Sequence, residues 1–197
     1  MDGAGNTRAR HRPQGLQKNR GPLAGPENRQ SLIDAGRAEF IAHGASVPLS
    51  RIAKRAGVGQ GSLYRHFPNR FALAVAVFEQ NLQEIRRRVA VSSSPYSVFL
   101  STVEQQASEA SVIIDLVASG EAQAEAESLR RDLRELVTEV FDAASAAGEL
   151  APHVTAVDLL SAVQMLALPV AKAPAGEHGA VAERVRQILD AWFLRGS

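Results

Sequence analysis

Residues 52–70 read IAKRAGVGQGSLYRHFPNR, and two short helical patterns meet there at a glycine turn. Ile52, Ala53 and Ala56 form the apolar side of one helix, whose start is pre-set by Pro48. Gly57-Val58-Gly59 makes the turn, with Val58 placed to plug the angle between the helices. A second helix follows over about 60–67, where Leu63 and Phe67 share one face at a four-residue spacing. Around those two anchors stand Gln60, Ser62, Tyr64, Arg65 and His66, polar and aromatic side chains that a buried helix would not choose. The combination predicts a helix-turn-helix whose second helix enters a DNA groove.

In that geometry the residues near the helix N-terminus approach base edges. Gln60 and Ser62 occupy that end, and neither by itself fixes a sequence: the Gln amide pairs with adenine, and Ser donates or accepts. Gly61 allows close backbone approach at a cost of about 1 kcal/mol of helix stability relative to Ala. Tyr64, Arg65 and His66 are within reach of phosphate oxygens, although Tyr64 half-buried against the first helix is a structural alternative. For Arg51 and Lys54 on the preceding helix, and Arg70 on the following one, phosphate contact competes with plain solvation. Asn69, after Pro68, is a plausible cap for that following helix, whose free N–H groups suit a phosphate.

Upstream, Leu32, Ile33, Gly36, Phe40 and Ile41 recur at helical spacing over 27–43, and Gly44 suits the left-handed position that ends a helix. Residues 1–26 mix Gly, Pro, Asn and Arg without apolar periodicity and read as a flexible basic arm, either lying along phosphates or serving only as a charged leader. Downstream, Phe71, Leu73, Val77, Phe78, Leu82, Ile85 and Val89 mark a long helix bridging a small head to a larger body. Helical patterns continue over 96–119, 121–147, 153–171 and 180–194, without strand signals. The expected fold is all-α: an arm (1–26), a helix-turn-helix domain (27–73), and an effector-binding and dimerisation body (74–197).

The chain has 197 residues and is 45% hydrophobic, enough to fill a core. Its formal charge is +1 overall but unevenly spread. Residues 1–90 carry 15 Lys or Arg against 6 Asp or Glu, whereas residues 91–197 carry 7 against 15. A basic half attracts phosphate backbone and an acidic half is repelled by it, so the first half is expected to face DNA. Absence of cysteine excludes disulfides, thiolate metal sites and cysteine nucleophiles. No apolar stretch suits a bilayer or a signal peptide, so a cytoplasmic location without membrane contact is expected.

The stretch over about 29–73 resembles the N-terminal signature of the TetR family of bacterial transcriptional regulators. Its densest part is Ile52, Ala53, Ala56, Gly57, Val58, Gly61, Leu63, Tyr64, His66, Phe67, Arg70 and Leu73. The resemblance implies a homodimer, two heads on a palindromic double-stranded operator, and a body cavity where an unknown small-molecule effector changes the spacing of the heads. It also implies base contacts at Gln60 and Ser62, backbone contacts at Tyr64 and His66, and a basic position at Arg70. Two departures stand out: Gly59 replaces a common Ser or Thr cap, and Val47-Pro48 replaces a Thr-rich opening, so hydroxyls that often contact phosphate are missing.

Candidate pocket residues are Tyr96, Phe99, Ile113, Ile114, Phe141, His153, Gln164, Met165 and Leu168, although apolar positions of this kind ordinarily fill a core. Candidate dimer residues are Val157, Leu160, Val163, Leu168, Val185, Leu189, Trp192 and Phe193, on the last two helices. Neither a cofactor nor a metal is expected. An enzyme is disfavoured because the five histidines include no i,i+4 pair, and the 57–61 run GVGQG lacks the lysine and preceding strand of a nucleotide loop. A non-catalytic helical interaction protein is the other alternative.

Overall fold

Helix α1 (Ala24–His43) begins the part of the chain that the computed structural model describes, which comprises residues 24–107, 109, 112, 113, 123–174 and 176–194. The helix opens three residues before the expected start, because Gly25 and Pro26 fall in a first turn where a missing N–H costs nothing. Most of the expected arm lies outside the described residues. Helices α2 (Leu49–Ala56), α3 (Gln60–His66), α4 (Arg70–Ala90) and α5 (Pro95–Gln105) follow. Ala107, Glu109, Val112 and Ile113 are also helical. The body is completed by α6 (Gln123–Ala146), α7 (Ala156–Lys172) and α8 (His178–Phe193). Among the described residues the all-α expectation holds, and the only extended pairing is a single bridge between Leu150 and Leu194.

Local chemistry sets the joints. Gly57 ends α2 at φ 69°, in the left-handed region, while its neighbour Val58 donates its N–H to the Ala53 carbonyl. A Cβ at Gly57 would meet no atom within 4 Å, so only the backbone conformation opposes a side chain there. Gly57→Ala is therefore expected to cost about 1–2 kcal/mol, read as a lower urea midpoint with an unchanged slope. Asn69 caps α4, its side chain accepting from Ala72 N–H at 2.8 Å. Thr155 and Asp158 close a reciprocal capping box on α7. The hydrogen bonds from Thr155 hold the Asp158 carboxyl below its ordinary pKa.

Two apolar cores result, and α4 belongs to both. Its first half gives Phe71, Leu73 and Val77 to the head core with Leu32, Ile33, Phe40, Ile52, Leu63 and Phe67. Its second half gives Leu82, Ile85 and Val89 to the body core with Tyr96, Phe99, Leu136, Leu159 and Leu166, while Phe78 packs against both. Gly36 permits the close approach of α1 to α4, since a Cβ there would lie 3.1 Å from Leu73. The head core also takes in Val112, Ile113, Ala126 and Leu129, so packing does not stop at residue 73.

A polar junction reinforces this seam. Arg37 on α1 donates to Asn81 on α4 at 2.6 Å and forms a short ion pair with Glu109. Asn81 in turn donates to Glu109 at 2.8 Å. Asn81 is buried, so its amide would carry a desolvation cost without these two partners.

Candidate nucleic-acid interface

Helix α3 is held from behind and open in front. Leu63 and Phe67 are buried in the head core, and the Arg29 guanidinium lies 5.3 Å from the centroid of the Phe67 ring. On the outer side Gln60, Gly61 and Arg65 are exposed, and Tyr64 is 53% exposed. His66 is half-buried, tilted against Phe67. Lys54 is exposed on α2.

Three of the expected DNA contacts sit differently from a simple exposed residue. Ser62 is half-buried and its hydroxyl oxygen is buried without a hydrogen-bond partner among the described residues, which corrects the expectation that it points at bases as Gln60 does. Arg70 is half-buried with Nε likewise unpartnered, leaving the outer part of its guanidinium for solvent or phosphate. Asn69 uses its side-chain oxygen on the α4 cap.

Arg51 is not merely solvated. Its Nε donates to Glu39 at 2.6 Å, Arg55 Nη1 donates to the same carboxylate at 3.2 Å, and His43 Nε2 lies 3.5 Å away. Glu39 is only 4% exposed. Burial works against its charge, but the hydrogen bonds from Arg51 and Arg55 and the charges of Arg51 and His43 outweigh it, holding its pKa below the ordinary value. Sequence reasoning missed Glu39, Arg55 and His43. The available signal was an acid on the inner stripe of α1, one residue from Phe40, opposite two arginines four apart on α2.

The candidate pocket residues are scattered. Tyr96 and Phe99 are fully buried core, and Tyr96 stacks on Phe193 with ring centroids 5.5 Å apart. Burial and the neighbouring Asp190 carboxylate push the Tyr96 phenol far above its ordinary pKa. Ile113 belongs to the head core, Phe141 is half-buried against the body core, and Ile114 lies outside the described residues. His153, Gln164, Met165 and Leu168 are exposed, which corrects their assignment to an internal pocket: α7 turns Gln164, Met165 and Leu168 outward because Leu159, Ala162 and Leu166 occupy its inner face, and His153 lies in the turn before that helix.

The candidate dimer residues divide as well. Val157 is 72% exposed and Trp192 57%, with His153 packed edge-on against Trp192 at 4.6 Å. Leu160, Val163 and Val185 are partly buried against the body core, and Leu168 is exposed. Leu189 and Phe193 are buried within the subunit, a correction that follows from their shared inner face with Ala182. Ile188, 57% exposed and not foreseen, takes the outward place beside Trp192.

Comparison with known proteins places this arrangement in context. Residues 32–77 match the family model of bacterial regulatory proteins, tetR family. An HTH-type transcriptional regulator of Staphylococcus aureus (strain USA300) is 37% identical over 57 residues, 28% of this chain and 31% of that protein. The chain thus matches under a third of the length of its curated relatives. Whole-chain similarity comes from solved structures. A TetR transcriptional regulator from Streptomyces coelicolor superimposes with a TM-score of 0.65 at 26% identity, covering 85% of this chain and 99% of that one. A TetR transcription regulatory protein from Mycobacterium vanbaalenii gives a TM-score of 0.65 at 25% identity over 88% and 98% of the two chains.

Proposed function

We propose, since this chain belongs to the TetR family of transcriptional regulators, that two copies join through α7 and α8 and present paired α3 helices to a palindromic operator, from which a small molecule releases them. Regulators of this family are non-enzymatic DNA-binding proteins. The observation that carries the reading is the division of α3: Leu63 and Phe67 fix the helix while Gln60, Gly61, Tyr64 and Arg65 stay exposed. A helix so held can enter the major groove without refolding. The exposed apolar stripe of Val157, Met165, Leu168, Ile188 and Trp192 on the last two helices supports the dimer, because an apolar patch of this kind marks an interaction surface.

Base contacts are assigned to Gln60 and Gly61, with Ser62 set back behind them. Phosphate contacts are assigned to Arg51, Lys54, Tyr64, Arg65, His66 and Arg70, and to the α4 N-terminus capped by Asn69. Two half-sites one helical turn apart lie roughly 34–36 Å from each other. An effector that favours another head spacing then opposes DNA binding, and a coupling of about 1–3 kcal/mol changes affinity roughly 5- to 150-fold. Among the described residues no helix is long and apolar enough to cross a membrane, and no cluster of His, Cys, Asp or Glu could hold a metal ion.

Selection from random duplex DNA followed by titration tests the reading. The expected result is enrichment of an inverted repeat, bound with an affinity that falls at least about tenfold between 50 and 200 mM salt, as several phosphate contacts require. Recovery of no common sequence would overturn it. A library of small molecules screened on the selected site tests release separately: a constitutive binder shows no ligand that weakens the complex.

A further inference from the structure

We propose that Glu39 is a positioning residue for DNA binding: its buried carboxylate holds Arg51 and Arg55 together as a two-guanidinium clamp for the operator phosphate backbone. The inference rests on the DNA-binding reading above and adds to it a residue that does not itself touch DNA. An ionised carboxylate at 4% exposure loses its hydration, and is retained only where charged partners replace the water. Here the two oxygens are shared out, Oε2 to Arg51 Nε and Oε1 to Arg55 Nη1. His43 Nε2 stands 3.5 Å from Oε2 and completes the basic surround.

The division leaves most of each guanidinium unspent. Arginine carries five N–H donors in a fixed plane, and the bonds to Glu39 use one on each side chain. Both side chains remain more than half exposed, at 56% and 55%. Arg51 and Arg55 are one turn apart on the same face of α2, the helix that crosses the DNA backbone when its partner lies in the groove. A loose surface arginine gives up rotamer freedom on meeting a phosphate, whereas a guanidinium already tied at one edge has less to lose. Glu39 thereby orders two cations before DNA arrives, on the same head that presents α3.

Simple charge and positioning predict opposite signs. Removing an acid from a DNA-binding head raises its positive charge, and by charge alone Glu39→Gln would tighten binding. If Glu39 positions the clamp, Glu39→Gln weakens binding to the selected operator about tenfold and flattens the logarithmic salt dependence by about 0.9, the contribution of one phosphate contact. Arg51→Gln and Arg55→Gln each flatten it by a similar amount. In the Arg51→Gln/Arg55→Gln background, Glu39→Gln then changes affinity by less than about twofold, because its target is gone.

Equal or tighter binding by Glu39→Gln overturns the proposal. So does a penalty that persists undiminished without the two arginines, since Glu39 would then act through the fold alone. Thermal melts of each variant accompany the titrations; where Glu39→Gln melts below the assay temperature, the arginine variants decide, and unchanged salt slopes for both reject the clamp. Wild-type protein that selects no operator refutes the DNA-binding reading itself, an outcome distinct from failure of Glu39→Gln alone.

Discussion

Replacing Ile188 and Trp192 together with aspartate is expected to turn the protein into a folded monomer and to lower operator affinity by about 10²- to 10⁴-fold. Both side chains are 57% exposed in the isolated subunit, so their removal leaves each subunit core intact. In a dimer they would be covered, and two carboxylates would then have to be buried against apolar partners, which is costly without a pairing cation. Separating the subunits converts the second head's binding from an intramolecular to a bimolecular event, which accounts for the size of the loss. Sedimentation at micromolar concentration reads the assembly, circular dichroism reads the fold, and titration of the full operator reads the affinity. A variant that stays dimeric with unchanged affinity would place the interface elsewhere. Leu189→Asp serves as the contrast: Leu189 is core, so this neighbour of Ile188 is expected to unfold the body.

Leu63→Ala is expected to remove about 2–5 kcal/mol of stability and to abolish sequence-specific DNA binding. Leu63 is 1% exposed and is the one side chain of α3 buried in the head core, with Phe67 immediately beyond the helix. A seven-residue helix has too few hydrogen bonds to persist alone, so its order comes from this anchor. Truncation opens a cavity beneath the helix, which then frays and no longer holds Gln60 and Tyr64 toward the groove. Urea unfolding reads the stability loss, and protection of α3 amides from hydrogen exchange reads its local origin. Retained protection together with wild-type operator affinity would show that α3 is held by other contacts.

The head was readable because its determinants are local. Pro48, Gly57 and Asn69 each impose a joint through their own chemistry, and the 52–67 spacing alone separates anchors from exposed side chains. Where a side chain's surroundings come from another helix, the reading stopped short. Ser62 stands at the base-facing end in sequence, yet its hydroxyl is buried. For Arg51 only phosphate contact and solvation are weighed in sequence, because its partner, Glu39, is twelve residues away on α1. The body was harder still, since an apolar residue looks the same whether it fills a core, lines a cavity or meets a second subunit. Ile188 and Leu189 differ by one position, about 100° around the helix axis, and that rotation separates surface from core. Because α8 is apolar on both of these faces, periodicity alone cannot say which face is inward.

The membership of α4 in two cores has a mechanical meaning. At 1.5 Å per residue, its 21 residues make a rigid lever about 31 Å long, with Val89 clamped at one end and Phe71 at the other. A tilt of about 5° at the Val89 end sweeps the Phe71 end through roughly 3 Å, close to the rise of one base pair. Arg37, Asn81 and Glu109 meet near the middle of the helix, about 12 Å from Val89, where the same tilt moves the hydrogen-bonded groups by only about 1 Å. Under the proposed release mechanism, small repacking among body side chains is geared up in this way into a change of groove register at the DNA.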